Sequence, residues 1–123
     1  MALYRCSGSS TDYFKIPSMY FNGRTDGSSF IQVWPIAYDG IDLSKYKTVK
    51  IGKITVGGSF SYGMCRVQGS SGMSSNINIS QTTSNITIDV SSLSYSAGLL
   101  FHINSGSPNT NINVTINNIE FIP

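Results

Sequence analysis

Short runs in which apolar and polar residues alternate, separated by clusters of Gly, Ser and Asn, recur along nearly the whole chain. A period of two is what a strand needs when one face is buried and the other wetted. No window carries helical spacing over a useful length. The runs predict strands at 2–6, 12–21 (interrupted at Pro17), 29–34, 46–56, 59–68, 75–80, 85–90, 98–104 and 111–122. "GGSF", "GSSGMSS", "QTTSN", "SSLSYSAG" and "NSGSPNTN" supply the turns between them. Eight or nine short strands with evenly spaced turns predict an all-β chain, an antiparallel β-sandwich of jelly-roll type. No segment recurs at a fixed period, which disfavours a solenoid or a propeller.

Two runs change parity partway. Val49 and Ile51 give way to Ile54 and Val56 across Gly52–Lys53, and Ile112, Val114 and Ile116 give way to Ile119 and Phe121 across Asn117–Asn118. A β-bulge that inserts one residue would produce each switch. Strands bent in this way suit the curved sheets of a jelly roll better than a flat sandwich.

The chain's 123 residues suffice for one core and are read as a single domain, 1–123. Seven Tyr, six Phe and Trp34 argue against disorder. Charged residues make up only 11%, well below the usual quarter or so, and Ser, Thr and Asn fill the gap. Such a surface suits neutral, hydroxyl-rich partners or neighbouring protein subunits. A net charge of +2 is too small to argue for nucleic acid. All eight basic residues lie between Arg5 and Arg66, with Lys45, Lys47, Lys50 and Lys53 close together. These lysines are expected to guard an edge strand against pairing with other chains, with phosphate or anionic-glycan contact as the lesser reading.

"MALYRCSGSS" has no apolar h-region and no run of about 18 apolar residues occurs, so neither a signal peptide nor membrane insertion is expected. The chain is then used without Sec export or cut from a longer polypeptide. Cys6 and Cys65 sit in apolar, strand-like surroundings and read first as buried free thiols, with a disulfide between them left open. No Cys/His cluster suggests zinc. The sequons at Asn78, Asn85 and Asn113 are what chance supplies in so Asn- and Ser-rich a chain.

"GIDLSKYKTVKI" followed by a glycine-spaced strand, then "NITIDVSSLSYSAGLLFHINSG", then "INVTINNIEFI", resembles jelly-roll modules in structural and tail proteins of phages that infect Gram-positive bacteria. The pattern is also similar to bacterial carbohydrate-binding modules of galactose-binding-like form. It covers roughly residues 39 to 122 and consists of strands and turns, not catalytic signatures. The resemblance implies a virion-associated, tail-located module acting at the bacterial cell surface, which binds host surface glycan or joins tail components. It carries no fixed binding residues over to this chain.

The chain's own pattern yields a candidate site. If strands 29–34, 59–68 and 98–104 share a sheet, their odd positions, Ile31, Val33, Cys65, Val67, Leu99, Phe101 and Ile103, face inward. Their even positions then present Gln32, Trp34, Tyr62, Arg66, Gln68, His102 and Asn104, with Phe30, Phe60, Met64 and Leu100 among them. Aromatic rings stack on the apolar face of a pyranose, while planar amides and guanidinium groups bond its hydroxyls in fixed directions. Each residue also has a plainer reading: Trp34 as a core or rim anchor, His102 as an ordinary sheet histidine, Tyr62 and Arg66 as a cation–π pair. Tyr38, Asp39 and Tyr95 are placed in loops that rim the groove.

Jelly-roll glycan binders often hold a structural calcium, and Asp12, Asp26, Asp39 and Asp42 sit in loops that could supply oxygens. They fall short of the six to eight ligands calcium takes unless carbonyls contribute, so calcium is a minor expectation. One histidine and six scattered carboxylates offer no nucleophile–base pairing and a poor glycosidase pair, so no enzyme is expected. The leading expectation is a noncatalytic carbohydrate-binding module of a phage tail. The competing ones are a structural module docking onto other virion subunits, as a homotrimer in one form, and a bacterial carbohydrate-binding module.

Overall fold

The computed structural model describes residues 13–123 in full and, of the N-terminal residues, the backbone of Ala2–Tyr4. Cys6 and Asp12 lie outside the described residues. Among the described residues ten strands follow one another: β1 (Ala2–Tyr4), β2 (Phe14–Arg24), β3 (Phe30–Asp42), β4 (Thr48–Gly58), β5 (Tyr62–Gly69), β6 (Gly72–Met73), β7 (Ile77–Ile79), β8 (Thr82–Asp89), β9 (Ser96–Asn104) and β10 (Asn111–Ile122). They form two sheets. The front sheet has the order β1-β3-β9-β5-β6, with β7 also paired to β5, and the back sheet has the order β2-β10-β4-β8. From β2 onward the chain changes sheet at almost every connection, and the eight main strands take the order of a jelly roll, with β2-β10-β4-β8 facing β3-β9-β5-β7. Among the described residues all pairings are antiparallel except β1 with β3.

One apolar cluster fills the space between the sheets. Phe101 on β9 meets Phe21 on β2 edge to face at 6.1 Å, and Phe121 on β10 meets Tyr46 at 5.7 Å. The inward set expected for β3, β5 and β9 is found there: Val33, Cys65, Val67, Leu99, Phe101 and Ile103 are buried in it, and Ile31 packs against its margin. Cys65 is a free thiol, and burial pushes its pKa up to about 12, so it is a small apolar filler and no nucleophile at neutral pH. Phe60 departs from the expected outward set. It precedes β5 and packs against the core.

The parity switches are real, but their cause differs from the expected bulges. An inserted residue on one strand would shift its register by one. Instead Ile51 faces Ile119 and Lys53 faces Asn117, so the register runs unchanged past the break. The same holds on both flanks: Ile119 faces Ile16 and Asn117 faces Ser18, while Ile51 faces Ile86 and Lys53 faces Ser84. All four strands therefore change parity in one row, Pro17–Asn118–Gly52–Asn85, which creases the whole back sheet. Asn118 and Asn85 take positive φ, 59° and 55°, a conformation asparagine tolerates better than other side chains. At Gly52 a Cβ would lie 3.1 Å from the Asn117 carbonyl oxygen and 3.2 Å from the Asn118 Cβ, so the crease leaves little room for a side chain there. Pro17 sits on edge strand β2, where a missing N–H costs no ladder bond.

True register shifts occur in the front sheet. From Val33 to Ile36, β3 advances three residues against two on β9, from Phe101 to Leu99, and a larger excess follows before Ile41 meets Ala97. Strand β3 thus absorbs Trp34–Pro35 and "AYDG" as bulges, where the Pro and Gly had suggested a strand end. The lysine expectation is also corrected. Strand β4 is interior, between β10 and β8, so its lysines guard no edge. Lys50 stands opposite Glu120 on the outer face, and Lys45 and Lys47 lie in the preceding connection.

Two connections share a local design. In "DLSKY" and "DVSSL" an Asp at the end of its strand accepts from the amide of the Ser two residues on, Asp42 from Ser44 at 2.9 Å and Asp89 from Ser91 at 2.9 Å. The apolar residue between them, Leu43 or Val90, is buried, and a turn bond returns to its carbonyl from Tyr46 or Leu93. These bonds hold both carboxyls below the ordinary Asp pKa.

Candidate functional site

Strands β3, β9 and β5 are consecutive neighbours in the front sheet, and their even-numbered residues share its outer face. Register places Phe30, Asn104 and Tyr62 in one row and Gln32, His102 and Met64 in the next. Further along, Arg66 is beside Leu100, and Gln68 beside Gly98. All seven residues singled out from sequence thus share one side of one sheet, but they divide into two groups.

The first group is open. Phe30 lies edge to face with His102 at 4.5 Å and with Tyr62 at 5.9 Å, and Tyr62 is 56% exposed. Gln32 Nε2 is 3.1 Å from His102 Nδ1. The amide donates, so Nδ1 is the bare acceptor and the neutral ring carries its proton on Nε2. Asn104 Oδ1 accepts the Gly106 amide at 2.7 Å, which fixes its side chain on the turn and leaves Nδ2 to donate. A cleft of about 470 Å³ opens beside these residues, lined by Phe30, Ile31, Gln32 and His102 together with Arg24, Asp26 and Ser28.

The second group is more closed. Trp34, half-buried at the β3 bulge, meets Tyr38 edge to face at 5.2 Å. Leu100 belongs to the outer face by alternation yet is only 2% exposed and stands outside the central cluster, so the face is roofed over at this end. Arg66 donates from Nε to Gln68 Oε1 at 2.7 Å and from Nη1 to Asn76 Oδ1 at 3.1 Å. The Tyr62–Arg66 pair foreseen as a cation–π contact is not formed, since Tyr62 meets Phe30 and Arg66 turns to these two amides. Of the expected loop rim, Asp39 accepts the Ser70 amide at 3.0 Å and so tethers the β5–β6 turn, and Tyr95 packs against the core.

The residues that the linear pattern missed come from the β2–β3 turn. Asp26 Oδ1 accepts the amides of Ser28 at 2.7 Å and Phe30 at 3.3 Å, and its backbone N–H donates to the Phe30 carbonyl at 2.8 Å. Behind it, buried Thr25 donates its amide to the Thr110 carbonyl at 2.9 Å and its hydroxyl to the Ser107 carbonyl at 3.1 Å, while the Ser105 amide donates to the Ser29 carbonyl at 3.0 Å. This polar knot joins the 24–30 turn to the 104–111 turn and sets Arg24 and Asp26 beside His102. No buried side-chain polar atom among the described residues lacks a partner. Phe30, by contrast, shares the parity of Gln32 and was within reach of the pattern.

His102 has its pKa lowered, first by burial and then by the positive charge of Arg66, with Asp26 acting the other way. A histidine whose folded-state pKa lies below its unfolded value of 6.5 disfavours the folded state when protonated. Its stabilising contribution is complete above pH 6.5 and is lost as pH falls through the folded value. An imidazole NMR titration is expected to give a midpoint below 6.5, and His102→Gln should flatten the fall in stability across that range. A midpoint above 6.5 would mean that the ring is more solvated, or nearer a carboxylate, than its place against Phe30 and Gln32 implies.

Among the described residues no group of three or more His, Cys, Asp or Glu side chains is placed to hold a metal ion. Asp26, Asp39 and Asp42 are each engaged with amides of a different turn. No helix among the described residues is long and apolar enough to cross a membrane. The chain matches no protein-family model and no curated protein sequence.

Proposed function

We propose that the protein is a noncatalytic module that binds host cell-surface carbohydrate through the open end of the front sheet's outer face. The observation that carries this reading is the group of rings Phe30, Tyr62 and His102, in contact through Phe30, beside Gln32 and a cleft with Arg24 on its rim. Rings offer apolar faces to the C–H side of a sugar, and the amides and guanidinium direct donors at its hydroxyls. Of the residues lining the cleft, Asp26 alone carries a carboxylate, whereas glycoside hydrolysis uses two. The resemblance to phage tail modules supplies the setting, a virion tail meeting a Gram-positive cell wall.

The test is a glycan array that includes cell-wall polysaccharides, followed by titration of the strongest binder. Tyr62→Ala and Gln32→Ala are each expected to weaken binding about tenfold, the loss of one ring or amide contact of about 1.4 kcal/mol, with thermal stability unchanged. Unaltered affinity in both variants would remove this face from consideration. A second reading, docking onto other virion subunits, draws on the ring pair of half-buried Trp34 and exposed Tyr38 at the β3 bulge. A stable trimer by light scattering with no array signal would favour it.

A further inference from the structure

We infer that the glycan groove continues past Arg24, around the end of the sandwich and onto the back sheet, and that it takes an extended oligosaccharide rather than a single sugar. This rests on the carbohydrate reading above and names the class of ligand that the same site holds. A second cleft, of about 530 Å³, is lined by Asn22, Gly23, Arg24, Asn111, Ile112 and Asn113. Arg24 lines both clefts, so they meet at its side chain. Each volume falls in the range of roughly 300–1,000 Å³ that suits a small ligand. Either cleft alone accommodates a short saccharide, and the two in series accommodate a longer chain.

The second cleft repeats the chemistry of the first. Strands β2 and β10 pair Asn22 with Asn113 and Arg24 with Asn111, so these four side chains rise side by side from the back sheet. Arg24 Nη1 donates to Asn111 Oδ1 at 3.2 Å, and the Tyr20 hydroxyl donates to Asn22 Oδ1 at 2.8 Å. Those bonds occupy amide oxygens and leave the Nδ2 groups of Asn22 and Asn111, and most of the guanidinium N–H groups, to donate outward. Gly57 is the neighbour of Asn113 on β4, and a Cβ there would run into the Asn113 amide, so the missing side chain leaves that amide room to lie across β4. Exposed Tyr20 supplies a ring at the margin. The Thr25 and Ser105 bonds hold the Arg24 junction in place before anything binds, which limits the ordering cost of binding.

A merely solvated strand face would leave binding independent of chain length and of these residues. The test uses size-fractionated oligosaccharides, disaccharide to octasaccharide, from acid hydrolysates of a panel of Gram-positive cell-wall polysaccharides. Each fraction is titrated calorimetrically into wild type, Tyr62→Ala, Arg24→Gln and the double variant Asn22→Ala/Asn113→Ala, after a thermal melt confirms folding. Affinity is expected to rise with chain length. The double variant should lose about tenfold for the octasaccharide, the worth of one or two hydrogen bonds, and change little for the disaccharide, whereas Arg24→Gln, at the junction of the two clefts, should weaken both. Tyr62→Ala should weaken both. Affinity independent of length, or back-sheet variants that bind the octasaccharide like wild type while Tyr62→Ala fails, would overturn the extended groove and leave the front site standing. Wild type that binds no fraction overturns both.

Discussion

Replacing Phe101 with alanine is expected to cost about 3–5 kcal/mol, the usual loss for a buried phenylalanine in a packed core. The ring is fully buried on β9, between β3 and β5, and meets Phe21 of the opposite sheet edge to face. Removing it takes away contacts between the two sheets and leaves a cavity that the flanking strands cannot close. His102, one residue on, points to the other side, so His102→Ala should leave the melting temperature at neutral pH within a few degrees of wild type. Chemical denaturation of the pair measures this contrast. A small loss at Phe101 together with a large one at His102 would mean that the strand is turned over, and the proposed surface with it.

The crease in the back sheet gives the second large effect. Asn118 holds a φ of 59° at the point where four strands change parity together. A β-branched side chain in that conformation costs about 1–3 kcal/mol. Asn118→Val should therefore destabilise by that amount, while Asn118→Gly should be close to neutral. Asn85, at 55° in the same row, should respond in the same order. If Asn118→Val proves neutral, the row is an ordinary pleat. The apolar residues on its two sides, Ile116 and Ile119, could not then both face the core, where both are fully buried.

The strands and the two layers were legible because burial on one face writes a period of two into β5, each half of β10 and the Leu99–Phe101–Ile103 run of β9. The parity breaks were legible as well, but their cause was not. A single strand shows only that its pattern slips, and whether a neighbour slips in the same row depends on pairing. The lysine reading failed for the same reason: Lys50 and Lys53 look alike in sequence on an edge strand and on the outer face of an interior one. Pro35 and "YDG" marked a strand end locally, yet β3 carries them as bulges because β9 continues beneath it. The seven candidate site residues fell on one face because alternation alone decides that. What alternation could not reveal was the roof over Leu100, the turning of Arg66 toward Gln68 and Asn76, or the approach of Arg24 and Asp26 from the β2–β3 turn.

The open half of the front sheet's outer face is the proposed saccharide site. Amide-resolved NMR of the labelled protein, titrated with the cell-wall oligosaccharide that binds best, addresses it in one experiment. The shifts should centre on Phe30, Gln32, Tyr62, His102 and Asn104 and extend to Arg24. Shifts centred instead on the opposite face, around Lys50, Thr87 and Glu120, with the Tyr62 and His102 signals unmoved, would contradict it.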